Sequence, residues 1–312
     1  MNNQPDTHAQ DCSAGYQQAL AEGWLPIRDV ARVTGVNAIT LRAWERRYGL
    51  IVPQRSPKGH RLFSADHVQR IHTIVTWLNR GVAVSQVKPL LDTPQAFSTA
   101  VESEWKILRQ KLTLAISQLA EREVDDLINQ AMSLYPPRTL CEQLLMPLLG
   151  ELEQRWQGQF GARMEQRFFH GWLRSKLGAR LYHNNRQLRG APLLLINHSD
   201  LPLEPQLWLA AWLISSTDCP VEVFDGPLPA GELALAVEHL QARAVLLYSS
   251  TSINLKQLTK LLHNVSCPTL IAGPTVCIHH TELSVSTTDC TDLLLAKDPL
   301  AAHQMLLARG LI

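Results

Sequence analysis

The sequence predicts a multidomain α+β protein: a winged helix-turn-helix, then a four-helix bundle, then a Rossmann-like α/β domain. Near the N-terminus, two short helical patterns separated by a glycine are followed by short apolar stretches. Near the C-terminus, short apolar runs alternate with helical patterns, which is typical of a parallel sheet covered by helices. The length of 312 residues and a hydrophobic content of 46% are sufficient for several separate cores.

Charge is distributed unevenly along the chain, although its formal net charge is only +1. Residues 24–93 contain eleven Lys and Arg against four Asp and Glu, a net charge of +7, whereas residues 190–312 carry −6. Residues 1–23 carry −3, and residues 94–189 carry +3. A basic segment joined to an acidic one indicates a nucleic-acid-binding module attached to something else. We interpret the four segments as a mobile N-terminal arm followed by three domains.

Several protein classes do not fit the sequence. The longest apolar run, Leu207–Ile214, has eight residues, far fewer than the roughly 18 that span a bilayer. The polar N-terminal stretch does not resemble a signal peptide, and six dispersed cysteines without a C-x-x-C pair are typical of a reducing compartment. No Ser/His/Asp set, phosphate loop or carboxylate pair indicates an active site. We therefore expect a cytoplasmic protein that is not an enzyme and has no membrane partner.

Residues 24–93 begin with a predicted helix-turn-helix. Pro26 precedes the first helical pattern, Gly35 ends it, and Asn37 can cap the second helix. The side chains expected to face inward are Leu41, Trp44 and Tyr48. Those expected to face outward or lie along the edges are Thr40, Arg42, Ala43, Arg46 and Arg47. The second helix of such a motif lies in the major groove, with its N-terminal residues nearest the bases.

A small hairpin is predicted to follow this motif. Pro53, Pro57 and Gly59 interrupt two short apolar stretches, LIV and RLF. The basic residues at or near its tip are Arg55, Lys58 and Arg61. A hairpin beside a helix-turn-helix forms a wing that can reach the phosphate backbone. Ser64 can then cap a further helix.

The stretch TGVNAITLRAWERRYGLIVPQRSPKGHRLFS resembles the DNA-binding domain of the MerR family. Its W-E-R-R-Y-G-L-x-x-P-x-R-x-x-x-G-H-R-L pattern is similar to the branch that holds the MlrA-type biofilm regulators and the cobalamin-dependent CarH/LitR light sensors. The resemblance assigns major-groove contacts to Thr40, Arg42, Arg46 and Arg47. It assigns backbone or wing contacts to Tyr48, Arg55, Lys58, His60 and Arg61, although His60 could equally be a packing residue of the wing.

This resemblance also implies partners. They are double-stranded promoter DNA, RNA polymerase and a second copy of the chain in a homodimer. Typical family members pair through a long helix straight after the DNA-binding domain, but Pro94 interrupts that stretch here. We therefore expect the dimer to form through the helical bundle or the sheet domain.

Residues 94–189 are predicted to form a four-helix bundle. The helical patterns cover residues 97–119, 121–135, 138–156 and 160–184. The stretch LGELEQRWQGQFGARMEQ resembles the helical cap of cobalamin-binding modules, in which a tryptophan is followed by nine residues and Glu-His. Here eight residues separate Trp156 from Glu165-Gln166, so the spacing is one residue short and the histidine is absent. Trp156 could equally be an ordinary bundle residue.

Residues 190–312 are predicted to form a doubly wound parallel sheet. The predicted strands cover residues 191–197, 220–225, 244–250, 268–273 and 291–296. The strand ends at Asn197, Ser249-Ser250 and Gly273 would line the ligand crevice of such a sheet. The stretch VEVFDGPLPAGELALAVEHLQARAVLLYSS resembles a cobalamin-binding Rossmann-like domain.

The motif that ligates cobalt in that family, D/E-x-H-x-x-G, is missing. Pro202 or Leu201 stands where the histidine is expected, and Glu204 or Pro205 stands where the glycine is expected. Proline cannot ligate a metal, and a side chain at the glycine position would crowd the nucleotide tail. We therefore expect no cofactor. The residues that remain as a possible effector pocket are Trp156, Glu165, Gln166, Ser249, Ser250 and Gly273.

Two further groups of residues contain side chains that can ligate a metal. His198 comes three or four residues too early for the axial position but could substitute for it. Cys277, His279 and His280 are clustered but lack a second pair at a usual spacing, so we expect no metal site.

The sequence is best interpreted as a transcriptional regulator with a degenerate cobalamin-sensor region, which by resemblance would control extracellular-matrix or biofilm genes. One alternative is a cobalamin- or light-responsive regulator with a modified site. Another is a corrinoid-dependent enzyme or carrier protein, which is disfavoured because the chain has no catalytic domain and no axial histidine.

Overall fold

The computed structural model describes most of the chain, in two units. The described residues are 20, 23–56, 58–92, 101–158, 160–199, 201–279, 282–283 and 293–312, with the side chains of residues 92 and 101–103 excepted. The units are Met1–Gly150 and Glu151–Ile312. The arm predicted for residues 1–23 falls outside the described residues except at residues 20 and 23.

The first unit contains the predicted helix-turn-helix. Helices α1 (Ile27–Thr34) and α2 (Ala38–Ala43) are separated by Gly35, which has a φ of +68°. Glycine adopts this left-handed conformation without steric cost, which explains why the first helix stops here. The side chain of Asn37 caps α2 by accepting a hydrogen bond from the backbone N–H of Thr40 at 2.9 Å. Both features agree with the sequence pattern.

A short π-helical turn, Trp44–Tyr48, continues α2 and leads into the wing. The wing is a three-stranded antiparallel sheet in the order β1-β3-β2. Its strands are β1 (Leu25–Pro26), β2 (Gln54–Arg55) and β3 (Arg61–Phe63). The LIV stretch is not a strand, and its Leu50 and Ile51 are buried in the core. The outer strand of the hairpin begins only at Gln54.

Among the described residues, six helices lie between the wing and Trp156. They are α3 (Ala65–Asn79), α4 (Val84–Asp92), α5 (Val101–Ser117), α6 (Glu121–Leu134), α7 (Pro137–Leu140) and α8 (Met146–Trp156). A second π-helical segment, Cys141–Leu145, joins α7 to α8. Ser64 caps α3 in a capping box with His67, as its position predicted.

Side-chain hydrogen bonds connect the helix-turn-helix and its following helices to α5, α6 and α7. The indole N–H of Trp44 donates to the carbonyl of Leu134 at 2.9 Å. Three further bonds of this kind are Trp105 Nε1–H to Gly81 O at 2.8 Å, Thr139 Oγ1 to Asn79 Oδ1 at 2.6 Å, and Val84 N–H to Tyr135 Oη at 3.3 Å. The structure therefore groups the basic segment with helices that the sequence assigned to a separate bundle.

The second unit is a five-stranded parallel sheet with helices, as predicted. Its long first helix is α9 (Ala162–Asn185). The strands are β4 (Leu193–Asn197), β5 (Val221–Phe224), β6 (Ala244–Tyr248), β7 (Thr269–Ala272) and β8 (Leu293–Ala296). The helices that follow α9 are α10 (Pro205–Ser215), α11 (Ala230–Leu240), α12 (Leu255–His263), α13 (Thr275–Ile278) and α14 (Pro299–Ala308). The strand order β5-β4-β6-β7-β8 reverses direction at β4, which is the doubly wound Rossmann-like arrangement.

The longest apolar run of the sequence forms a core helix. Helix α10 is buried along nearly its whole length and packs against α9. The indole N–H of Trp208 donates to Asp225 at 2.9 Å, and the guanidinium of Arg174 lies over the Trp208 ring. Among the described residues, no helix combines the length and apolar character that crossing a membrane would require.

We expect Trp44→Phe to destabilise the protein. The substitution removes the indole donor and leaves the buried carbonyl of Leu134 without its partner, which costs about 1–3 kcal/mol. Denaturant unfolding of the full chain measures the loss. The half-buried Trp77 provides a matched control, because Trp77→Phe makes the same chemical change outside this contact. An equal loss in both variants would contradict the proposed importance of the Trp44–Leu134 bond.

Candidate nucleic-acid interface and sheet-edge crevice

One face of α2 and of the turn that follows it is open to solvent. Ile39, Arg42 and Arg46 are exposed and are spaced so that they lie along one side of the helix, and Arg47 is exposed beside them. In the part of the chain that the structure describes, none of these three arginines forms an ion pair with an acidic side chain. This face presents uncompensated positive charge at the place where a recognition helix contacts DNA.

The opposite face of α2 is buried, which contradicts the prediction for Thr40. Thr40 is 0% exposed, like its neighbours Leu41 and Trp44. Its hydroxyl is buried, and it has no hydrogen-bond partner among the described residues. The face that carries Thr40 is covered because α2 packs against α6. The prediction that Thr40 contacts the major groove is therefore wrong, whereas Arg42, Arg46 and Arg47 do face outward.

An acidic residue organises the wing. Glu45 accepts hydrogen bonds from Arg55 at 3.0 Å and from Arg61 at 2.5 Å, and its side chain and that of Arg61 are largely buried. These bonds fix both strands of the hairpin to the turn that continues the second helix. Arg61 thus has a structural partner within the protein, and its contact with the DNA backbone stays a prediction. Lys58 lies exposed at the wing tip.

The tip itself is shaped by main-chain hydrogen bonds. The backbone N–H of Ser56 donates to the carbonyl of His60 at 2.8 Å, and the backbone N–H of His60 donates to the Ser56 hydroxyl at 3.1 Å. Gly59 has a φ of +80°, which the tight turn requires. The His60 residue is exposed. Its position is compatible with the predicted wing contact, and its backbone also helps to form the turn.

Tyr48 occupies a different environment from the arginines. It is half-buried and lines a cavity of about 300 Å³ together with Trp105 and Tyr135. The two latter rings lie 4.5 Å apart, and burial raises the pKa of Tyr135 to about 12. Tyr48 thus ends the arginine-bearing turn and faces a cavity lined by the helices that support this turn.

In the second unit, hydrogen bonds within the chain hold the carboxyl ends of the strands, where the sequence predicts a crevice. The chain leaves the adjacent parallel strands β4 and β6 in opposite directions along the sheet, toward β5 and toward β7. The backbone N–H of His198 donates to the carbonyl of Tyr248 at 2.8 Å and continues the pairing of β4 with β6. The amide of the buried Asn197 donates to the carbonyls of Leu201 and Asp225. The backbone at the switch point is therefore held by the chain's own groups.

A buried carboxyl group lies at this crevice. Glu204 is 2% exposed, accepts a hydrogen bond from Ser199 at 3.4 Å and is hydrogen-bonded by Ser250. Burial raises the pKa of Glu204, and the nearby Glu153 raises it further, whereas the hydrogen bonds lower it. Burial also raises the pKa of Glu153.

The residues that match nucleotide-tail positions form turns. The hydroxyl of the buried Ser249 donates to the carbonyl of Thr251 at 3.0 Å. Gly273 has a φ of +103°, and a Cβ at this position would lie 2.5 Å from the Ser249 carbonyl oxygen. A glycine is therefore required by the close approach of the two strand ends. Ser250 contributes the hydrogen bond to Glu204 already described.

The remaining predicted pocket residues lie on α8 and α9. The indole N–H of Trp156 donates to Glu165 at 3.3 Å, and Arg155 forms a salt bridge with the same carboxylate at 3.2 Å. Gln166 is half-buried. The ring of His170 meets the Trp156 ring edge-on at 5.4 Å. Burial, with a contribution from Arg167, lowers the pKa of His170 to about 4, so it is neutral at physiological pH.

The positions of the expected cobalt ligand and tail glycine contain no imidazole. Leu201 and Pro202 are exposed, whereas Glu204 and Pro205 are buried. In the described ranges, no three His, Cys, Asp or Glu residues are grouped so that they could hold a metal ion. The ring of His279 accepts a hydrogen bond from the backbone of Ile253 at 3.2 Å, and His280 is outside the described residues.

Sequence reasoning did not find three of these residues. Glu45 lies among arginines, Ile39 is an apolar residue that no motif singles out, and His170 lies in a helix with no motif around it. A helical projection of residues 38–47 would have separated Ile39 from the buried face. No sequence signal identifies the partners of Glu45 or His170.

Comparisons with known proteins agree with this architecture. The profile of the MerR HTH family regulatory proteins matches residues 25–93, and that of the B12 binding domain matches residues 108–180. The chain is 30% identical over 236 residues to the HTH-type transcriptional regulator MlrA of Escherichia coli (strain K12), covering 75% of this chain and 92% of the relative. It is 25% identical to the HTH-type transcriptional repressor CarH of Myxococcus xanthus, covering 70% of this chain and 76% of the relative.

A solved structure is also similar at the level of the backbone. The methanol:cobalamin methyltransferase complex MtaBC from Methanosarcina barkeri aligns with 71% of this chain and 88% of its own, with a TM-score of 0.34 and 13% identity. This similarity is too remote to support any inference about function.

We expect Glu204→Gln to stabilise the protein increasingly as the pH rises. Because the folded-state pKa of Glu204 is raised, the stability linked to its proton is complete below the unfolded-state pKa and is lost as the pH rises through the folded-state pKa. Glutamine keeps the neutral form at every pH. Thermal unfolding at pH 4 and at pH 8 measures the difference between variant and wild type.

The control is Glu238→Gln, which makes the same change at an exposed position in the same unit. Its unfolding temperature should follow that of the wild type at both pH values. If the stability of Glu204→Gln relative to wild type did not rise between pH 4 and pH 8, ionisation of the buried carboxyl would not destabilise the fold, and the prediction would be wrong.

Proposed function

Because the chain belongs to the MerR family of helix-turn-helix transcriptional regulators, we propose that it binds double-stranded promoter DNA through the outer face of α2 and the wing. The observation that carries this proposal is the division of α2 into a buried face and an exposed face bearing Arg42 and Arg46. Its relatives are named transcriptional regulators. The chain is accordingly a regulator and not an enzyme.

The two basic elements have different roles in this proposal. The helix α2 enters the major groove, where Arg42 is the exposed arginine closest to the base edges, because Arg46 and Arg47 lie further from the N-terminus of the helix. Lys58 at the wing tip contacts phosphate and carries no sequence information. Glu45 holds the wing at a fixed position relative to α2, so that both elements can be engaged together.

The protein acts as a homodimer that contacts RNA polymerase in this proposal. Helix-turn-helix dimers bind two half-sites that are related by the two-fold symmetry of the protein. It works in the cytoplasm, where promoter DNA is accessible. The genes it controls encode extracellular-matrix or biofilm components; this part rests on the similarity of the WERRYGL segment to the MlrA-type branch.

Cobalamin does not fit the second unit in this proposal. No histidine follows β4 at the axial position, and Glu204 is buried within the crevice where the tail glycine would be expected. In addition, the indole N–H of Trp156 is engaged in a hydrogen bond to Glu165. We therefore assign no cofactor to the chain.

A cobalamin- or light-responsive regulator is the second candidate function. The match of the B12 binding domain to residues 108–180 favours it. The proposal without cofactor expects that the full chain, mixed with adenosylcobalamin and desalted, retains no corrinoid absorption. Retention of a stable protein-bound spectrum in stoichiometric amount would favour the second candidate and contradict the first.

We expect Lys58→Ala to weaken binding to all duplexes alike, and Arg42→Ala also to reduce the preference for one sequence. Each lost phosphate contact should flatten the dependence of log affinity on log salt by about 0.9. Affinities of the full-length variants for selected and random duplexes, measured over a range of salt, test both effects. Lys260→Ala, an exposed lysine of the second unit, is the charge-matched control.

The outcome that would contradict this assignment is specific. If Arg42→Ala kept both the affinity and the preference of the wild type, α2 would not lie in the groove. A loss equal to that of Lys260→Ala would have the same meaning.

The proposed regulon is tested by mapping bound sites across the genome of the native cell. The expected result is enrichment at promoters of extracellular-matrix genes, with a repeated pair of half-sites under the peaks. Enrichment confined to other gene classes would contradict the biofilm assignment and leave the DNA-binding proposal intact.

A further inference from the structure

The first side chain of α2 that projects into solvent is apolar. Asn37 is committed to capping the helix through Thr40 N–H, and the half-buried Ala38 carries only a methyl group. Ile39 follows and is 60% exposed. Arg42 is the next exposed residue on this side, one turn later.

This position is the one that a recognition helix brings closest to the base edges, because its N-terminal residues enter the groove first. The cations Arg42, Arg46 and Arg47 share the exposed surface and lack acidic partners in the described part of the chain. They favour a polyanion as the occupant of this surface over an apolar protein partner.

We infer that Ile39 is a specificity-determining residue that contacts the C5-methyl group of a thymine in the major groove. This inference rests on the proposed DNA-binding function. The thymine methyl is the apolar group that the major groove offers, and side chains such as alanine and the threonine methyl are known to contact it. An isoleucine cannot hydrogen-bond a base edge, so burial against this methyl is the interaction available to it.

The neighbouring residue cannot perform this role. Thr40 carries a methyl group of its own, but it is fully buried on the opposite side of α2. The resemblance assigns a major-groove contact to Thr40, but the structure leaves Ile39 as the exposed apolar side chain that can make this contact.

The test separates the methyl group from every other feature of the base. The full-length protein first selects its preferred duplex from a randomised pool. Each thymine of that duplex is then replaced by deoxyuridine, which removes only the C5-methyl group. At one thymine in each half-site, this replacement should weaken the wild type about fourfold, as expected for one buried methyl group.

The same replacement should have a much smaller effect on Ile39→Ala, because the shorter alanine side chain does not reach a methyl group that the isoleucine contacts at its full length. Val33→Ala is the matched control, since Val33 is 54% exposed on α1 and should lose affinity for the deoxyuridine duplex as the wild type does. Circular dichroism of both variants checks that helix content is retained.

The possible outcomes distinguish the role of Ile39 from the proposed DNA-binding function on which it rests. Equal losses on deoxyuridine replacement in the wild type and in Ile39→Ala at every thymine would overturn the role of Ile39 while leaving DNA binding established. A change in oligomeric state of Ile39→Ala with unchanged sequence preference would overturn it in favour of a protein contact. Failure of the wild type to select any duplex would overturn both the inference and the proposed function.

Discussion

The rest of the DNA-binding surface depends on the burial of one side of the short helix Ala38–Ala43 and of the turn that continues it. Trp44 anchors that side through the hydrogen bond from its indole to the Leu134 carbonyl, and Thr40 and Leu41 are enclosed beside it. Because side chains of a helix point around its axis at fixed angles, closing one side determines which residues can face outward. The outward direction of the arginines therefore does not require a separate contact for each of them. Their direction follows from the burial of Trp44, and Glu45 then ties the wing to the same turn.

The second unit is governed by a different constraint, which is the close packing of strand ends around a buried acid. Gly273 approaches the Ser249 carbonyl so closely that no other residue fits, and Glu204 is enclosed with a raised pKa. An unpaired buried carboxyl is costly, and a fold keeps such a group only where its protonated form or its hydrogen bonds offset that cost. The carboxyl ends of these strands are thus held by the chain's own polar network.

Most of the fold was predictable from the sequence because the local signals are strong. Gly35 ends a helix, and Asn37 and Ser64 cap helices, as their chemistry predicts. The alternation of apolar runs and helices predicted the bounds of the five parallel strands to within two residues. The candidate site was predicted less well, because side-chain direction depends on what packs from elsewhere. The sequence places Thr40 outward, because no local pattern shows that α6, about 80 residues later, packs against α2. The pairing of Glu45 with two arginines likewise depends on the hairpin folding back, which no local pattern encodes.

The central claim is that α2 turns the side of Ile39, and not that of Thr40, toward the bases. Disulfide cross-linking tests it most directly, with Ile39→Cys and Thr40→Cys variants of the full chain and the selected duplex carrying a thiol tethered to a base in its major groove. The unaltered chain measures the background from its own cysteines, of which Cys277 is exposed. The account predicts efficient cross-linking of Ile39→Cys and background levels for Thr40→Cys. Cross-linking of Thr40→Cys at an equal or greater rate would contradict it.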